Sequence, residues 1–258
     1  MTKDILNETV LKKLLKKQAD GMQITVLDSC PSTNTYARQL AIKDPLQTAI
    51  VAARNQTAGR GRLGRSFFSP DGTGIYCSFL VPTTTALTDS LSLTCAASVA
   101  VMRAIRNLTG QQTEIKWVND LLLNEKKVCG ILTEAVTMGE HTSLIVGIGV
   151  NLRPMKFPPE LEPVAGTLNQ PTLSRAQLIA EIALGLLPFL NDPHDRSWLD
   201  DYRRHSCVFG KEILCIKNGI SVPCIAEEID ENGRLIVRYP DESREILHSG
   251  EISIRFRH

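Results

Sequence analysis

The stretch from Leu87 to Asn151 constrains the architecture most. Leu87 to Leu108 carries apolar residues at helical spacing, with Asp89 or Ser90 near its start and Gly110 past its end. Four short apolar runs follow: Thr113 to Val118, Asp120 to Asn124, Lys127 to Val136 and Ser143 to Asn151. Turns at Glu125-Lys126 and Gly139-Glu140 punctuate them. Together they predict a sheet laid on one long helix. Upstream, Asn7 to Gln18 places Val10, Leu11, Leu14 and Leu15 on one helical face and stops at Asp20-Gly21. Met22 to Asp28, Thr48 to Ala53 and Gly74 to Pro82 read as strands, and Ser32-Thr33-Asn34 offers caps for a helix bearing Tyr36, Ala37, Leu40 and Ala41. Downstream, Pro154 to Pro171 is a surface excursion. Ser174 to Leu190 is a capped helix, and Arg196 to His205 a weaker one carrying Trp198 and Tyr202.

Beyond His205 the texture changes. Glu212 to Lys217, Ser221 to Ile229, Arg234 to Tyr239, Glu245 to His248 and Ile252 to Arg257 are short strands separated by Asn218-Gly219, Asn232-Gly233 and Ser249-Gly250. This is a small all-β module, an open barrel. A chain of 258 residues sits near the length at which a second unit splits off. The divisions are 1–22, a helical segment; 23–206, the main domain; and 207–258, the β module. The net charge of +1 gives no overall basic field for nucleic acid. Seven scattered cysteines without a Cys-x-x-Cys pair predict reduced thiols and neither a disulfide framework nor a zinc site. The N-terminus lacks signal-peptide character and no apolar run approaches the ~18 residues of a membrane span. The expected location is the cytoplasm.

The chemistry concentrates in three places. Gly59-Arg60-Gly61-Arg62-Leu63-Gly64-Arg65 sets three guanidinium groups on a glycine-rich loop, which suits phosphate or carboxylate. Its glycines match a dinucleotide fingerprint, but Ser66 to Gly74 consists of turn formers that cannot open the required helix. Lys116-Trp117-Val118-Asn119-Asp120 interrupts an apolar run with a lysine, an amide and a carboxylate, and the following hairpin returns Lys127 beside them. Gly147-Ile-Gly-Val-Asn151 permits close backbone approach and ends on an amide. Trp117 reads as core, Lys126 as surface and Cys129 as a buried filler. Asp120 is balanced between an ion pair with Lys116 or Lys127 and a catalytic part. The five histidines share no ligand spacing, so no metal site is expected.

In order and spacing, Ser32-Thr33-Asn34, Gln56 to Arg65, Lys116 to Asp120, Lys127-Val128-Cys129-Gly130-Ile131, Gly147 to Asn151 and Gly250-Glu251-Ile252-Ser253 resemble a biotin protein ligase (biotin–acetyl-CoA-carboxylase ligase). The resemblance spans about Gln23 to the C-terminus. It implies an α/β (α+β) fold, with a central mixed β-sheet, helices packed on one side and a C-terminal SH3-like β-barrel. It implies synthesis of biotinyl-5′-AMP from biotin and Mg²⁺-ATP, then transfer to one lysine of a biotin carboxyl carrier domain. Carried over residue by residue, Ser32, Thr33, Asn34, Gln56, Gly59, Arg60, Gly61, Arg62, Lys127 and Gly130 would hold biotin. Arg62, Arg65, Phe67, Asn119, Lys127 and Asn151 would hold the nucleotide. Arg62, Lys127, Lys116 and Asp120 would serve catalysis, with no protein-bound metal. The chain departs from the pattern at Val118, where a proline is common, and at Phe67, where many members place tryptophan over the adenine. About 22 residues precede the first strand, too few for the helix-turn-helix of the repressor forms, which disfavours DNA as a partner. For a homodimer, an apolar sheet edge in the main domain is the place. A lipoate-protein ligase and a nucleic-acid-binding module are the alternative readings.

Overall fold

The computed structural model describes residues 4–83, 90–192, 194–217, 220–248 and 251–254. Asp89 and the Asn218-Gly219 and Ser249-Gly250 signals lie outside them. The main sheet comprises β1 (Gln23–Cys30), β2 (Ala49–Gln56), β3 (Gly74–Thr83), β4 (Glu114–Lys116), β5 (Asp120–Leu123), β6 (Lys126–Met138) and β7 (His141–Asn151). Its order is β1-β2-β3-β7-β6-β5-β4. Only β1 and β2 run parallel, so the sheet is mixed.

Residue alternation along β2 decides what each face meets. Ile50 and Ala52 point into the large core with α1 (Glu8–Leu15), α3 (Ser90–Thr109) and α4 (Arg175–Asn191), whereas Ala49 and Val51 pack on Ala37 and Ala41 of α2 (Thr33–Lys43). The expectation of helices on one side therefore holds for three of them and needs correction for α2, which lies on the opposite face. Its Ala37 and Ala41 are small enough to sit flat on Ala49 and Val51. α2 covers only part of that face, so the glycine-rich ends of β6 and β7 stay accessible.

α1 begins at Asn7, whose side chain accepts from the Val10 N–H (2.8 Å). It buries Leu11 and Leu15, and Leu6 just before it, each worth about 2 kcal/mol against exposure. Asp4 pins the same segment: it accepts from Arg175 Nε (2.6 Å), the Arg175 backbone N–H (3.1 Å) and Arg153 Nη2 (2.5 Å). Burial alone would raise its pKa, but the hydrogen bonds and charge of Arg175, with Arg153, outweigh it and hold the carboxyl below its ordinary value. Because the folded-state pKa is the depressed one, this stabilisation is present above the unfolded value and lost as pH falls through the folded one. Asp4→Asn should cost about 2 kcal/mol at neutral pH, and the difference from the parent in urea melts should shrink below about pH 4.

The meander differs from its sequence reading in two details. The turn between β5 and β6 falls on Asn124 and Glu125, both at positive φ (50° and 63°), one residue earlier than expected. Lys126 is thereby drawn into β6, and at the surface its Nζ donates to the carbonyls of Pro163 (2.5 Å) and Glu162 (3.2 Å). β4 ends at Lys116, and Trp117-Val118-Asn119 forms a turn with a cis Trp117–Val118 peptide.

The second sheet is antiparallel and five-stranded, in the order β11-β10-β9-β8-β12: β8 (Glu212–Lys217), β9 (Ile220–Ile229), β10 (Leu235–Arg238), β11 (Arg244–Leu247) and β12 (Glu251–Ile254). Among the described residues no pairing joins β11 to β12, so the implied barrel is open. Trp117 is core, as its neighbours suggested, and its indole N–H donates to Gly233 O (2.9 Å) in the second sheet's turn. From α5 (Leu199–His205), the Tyr202 hydroxyl reaches Val118 O (3.3 Å) and Arg203 Nη2 reaches Ile229 O (2.8 Å). One continuous core runs through both sheets.

Candidate active site

A cleft of about 450 Å³, open to solvent, lies on the face shared with α2. Its floor is Gly130 on β6 and Gly147 and Gly149 on β7. A methyl at Gly147 would overlap the Asn34 carboxamide, and one at Gly149 would overlap the Phe67 ring. The glycines therefore let α2 and the arginine loop close onto the strands.

The α2 end of the cleft is a hydrogen-bonded cluster. Ser32 stands at the N-cap in extended conformation, but its hydroxyl makes no capping bond, contrary to the sequence reading. Gln56 at the end of β2 supplies the acceptor instead: its Oε1 takes the Thr33 N–H (2.8 Å) and hydroxyl (3.2 Å). The Ser32 side chain is left lining the cleft. Asn34 is 3% exposed, donates to Leu132 O (3.2 Å) and Glu134 Oε2 (2.8 Å), and accepts from the Ser78 hydroxyl (2.6 Å). Every bond fixes a polar group that would cost free energy if buried alone.

The arginine loop is a tight hairpin, not a helix start: Gly61 N–H bonds Arg65 O (2.7 Å) and Phe67 N–H bonds Gly59 O (2.9 Å). Leu63 takes its tip at φ 55°. The hairpin crosses the cleft and touches both sides. Arg60 reaches Glu134 (Nη2–Oε1 3.1 Å), and Arg62 Nη1 donates to Asn119 Oδ1 (3.0 Å). Asn119 is itself held by Ile131, through its Nδ2 (3.1 Å) and its carbonyl (2.9 Å).

Lys127 reaches the cleft through a bulge. Leu121 pairs with Cys129 but Leu122 with Lys127, so Val128 is an extra residue. Val128 and Cys129 both enter the core, and Lys127 emerges on the face of Gly130, where its Nζ pairs with Asp120 Oδ1 (2.7 Å). Of the two lysines considered for Asp120, it is Lys127 that pairs.

The cleft thus gathers Ser32, Thr33, Asn34, Gln56, Arg60, Gly61, Arg62, Phe67, Asn119, Lys127 and Gly130. Other site candidates stand outside its lining. Gly59 is buried under Ser69 and Phe67 O, where a Cβ would clash. Arg65 is exposed at the hairpin's base, and Lys116 lies on the edge strand β4 opposite Asp120. Asp120 stands behind Lys127. Asn151, 5% exposed, donates from Nδ2 to Gly166 O (2.9 Å) in the returning Pro-rich segment. That segment also bonds Lys127 through Val164 O and the Gly166 N–H.

Against known proteins, residues 26–151 match the Biotin/lipoate A/B protein ligase family and residues 208–255 the Biotin protein ligase C terminal domain. The bifunctional ligase/repressor BirA of Bacillus subtilis is 37% identical over 185 residues, 69% of this chain and 57% of the relative. The chain thus spans less than two thirds of that relative's length. A biotin–acetyl-CoA-carboxylase ligase of Paracoccus denitrificans is 32% identical over 243 residues, 86% of this chain and 96% of that protein. The chain belongs to the biotin/lipoate A/B protein ligase family. A solved biotin protein ligase from Aquifex aeolicus, in complex with biotin and ATP, superposes with a TM-score of 0.76 at 26% identity, covering 90% of this chain and 98% of that one.

In this ligase-family chain the sequence reading passed over Ser78, Ser69 and Glu134. Ser78 is a small polar residue in the apolar run of β3, and it ties Thr33 to Asn34 (2.8 and 2.6 Å). Such a break in an apolar strand is a usable signal. Glu134, a charge inside β6 opposite Ile145, is a break of the same kind. Cys129 is fully buried and burial pushes its thiol well up, so it is filler and no nucleophile. All seven cysteines are buried. At pH 8 the native protein should react with Ellman's reagent at least about tenfold more slowly than the unfolded chain.

Among the described residues, no cluster of three or more His, Cys, Asp or Glu side chains could hold a metal, and no helix is long and apolar enough to cross a membrane.

Proposed function

We propose that the chain is an ATP-dependent biotin protein ligase that makes biotinyl-5′-AMP and transfers biotin to a lysine of a carboxylase's carrier domain, acetyl-CoA carboxylase being the first acceptor to test. One observation carries this reading. Separated segments bring a polar cluster at Ser32–Asn34, with Arg60 joined to it through Glu134, to one end of a cleft and two cations, Arg62 and Lys127, to the other. A neutral, hydrogen-bonding ring joined to a carboxylate fits that division.

In the first step a biotin carboxylate oxygen attacks the α-phosphorus of ATP, a P–O bond forms and pyrophosphate leaves. The two anions repel by about 4 kcal/mol at contact for an effective dielectric of 20. Lys127 and Arg62 offset that repulsion. Arg62 Nη1 donates to a neutral amide, Asn119, and a phosphate oxygen is the stronger acceptor for that N–H. In the second step the carrier lysine's amine attacks the acyl carbon, an amide forms and AMP leaves. Asp120 keeps Lys127 over Gly130 and is the carboxylate nearest to take the amine's proton. Mg²⁺ enters with ATP, held mainly by phosphates and water. Asn151 and Phe67 form the nucleotide side, in a cytoplasmic enzyme. Should two copies associate, the outer edge of the main sheet at β1 is the place.

The test is the intact mass of a carrier domain incubated with the protein, Mg²⁺-ATP and either biotin or lipoate, with an acceptor-lysine variant as control. Biotin adding only to the parent lysine is expected. Addition of lipoate alone would move the chain to the other branch of its family, and no addition or adenylate with either acid would end the ligase reading.

A further inference from the structure

Resting on that reading, we propose that Glu134 is a positioning residue, the fixed anchor that ties the arginine loop to the ring-binding end of the cleft. It stands on β6 seven residues beyond Lys127, its side chain 14% exposed between α2 and the loop. Three groups converge on one carboxylate. Asn34 Nδ2 donates to Oε2 (2.8 Å), Arg60 reaches both oxygens (Nη1–Oε2 3.2 Å, Nη2–Oε1 3.1 Å), and Arg38 Nη2 lies 3.5 Å from Oε1.

The two feet of the loop are chemically unequal. Arg60 grips a carboxylate, through one hydrogen bond (Nη1–Oε2) and a second close ion-pair contact (Nη2–Oε1), whereas the bond from Arg62 Nη1 goes to a neutral amide. Of these two contacts, the neutral one at Asn119 is the weaker hold, and the charged one at Glu134 is the one that stays. By sharing its carboxylate between Asn34 and Arg60, Glu134 also links the grip on the ring to the closure of the loop. Arg60's part is then mechanical: its charge is neutralised by Glu134 while Arg62 and Lys127 face the reacting anions.

The experiment compares the parent protein with Glu134→Gln, Arg60→Gln and the double variant. Glutamine keeps an acceptor for Asn34 but loses the charge holding Arg60. The first readout is the rate of tryptic cleavage at Arg62 and Arg65, which needs no ligase activity. The second is the rate at which labelled biotinyl-5′-AMP leaves the protein. Each single variant should raise both rates about tenfold, as loss of a charge-assisted hydrogen bond does, with the thermal midpoint nearly unchanged. The double variant should differ from either single one by less than about twofold, because both remove the same tie. Multiplying effects, or an unchanged cleavage rate in Arg60→Gln, would overturn the proposal. If the parent forms no adenylate, the ligase reading fails while the cleavage rates still decide the anchor.

Discussion

Lys127→Met is expected to lower the rate of biotinyl-5′-AMP formation by about 10²- to 10³-fold, the usual cost of removing a preorganised group that meets charge in the transition state. Methionine retains much of the side chain's length, so the loss isolates the ammonium. In the folded protein that ammonium is 2.7 Å from Asp120 and directly above Gly130. The KM for biotin should change less than kcat, since the polar cluster at Ser32, Thr33 and Asn34 is left intact. Lys116→Met is the informative partner. Lys116 lies outside the cleft lining, on the edge strand, so its loss should cost less than about fivefold, within the range of a surface change. Single-turnover formation of labelled adenylate measures both. Equal losses would mean that the electrostatics extend well beyond the cleft, and that Lys127 has no special position.

Gly147→Ala is expected to be the most damaging single methyl. Its Cβ would lie within the Asn34 carboxamide, which is already fixed by Leu132, Glu134 and Ser78 and cannot turn away without leaving buried groups unpaired. Either α2 lifts from the sheet or Asn34 breaks its bonds. Overpacking of this kind costs about 1–3 kcal/mol, roughly 3–10 °C in thermal midpoint for a chain of this size. Biotin binding should suffer more than stability, falling at least about a hundredfold, because a displacement of about 1 Å misplaces every donor on α2. Differential scanning fluorimetry and isothermal titration calorimetry read the two effects. Unchanged biotin affinity would remove the glycine floor from the account of recognition.

Local features of the chain determined much of this. Helical spacing in Val10 to Leu15 and Ser90 to Leu108, alternation and turn residues in the meander, and the Asn232-Gly233 turn each set structure through contacts a few residues long. The arginine loop, the Ser-Thr-Asn segment and Lys127 were legible for the same reason: residue type and spacing carry chemistry before any fold is known. What tertiary structure alone decided concerns faces and partners. Ser32 reads as a cap, but Gln56, 24 positions away in sequence, takes that role and releases the hydroxyl. Lys116 and Lys127 read as equivalent partners for Asp120, until the extra residue at Val128 turns Lys127 toward the cleft and leaves Lys116 on the edge strand. Strand side chains alternate with period two, so one inserted residue changes the face of its neighbours. Sequence thus supplied the charged groups, and the register of β5 on β6 chose the lysine that faces the cleft.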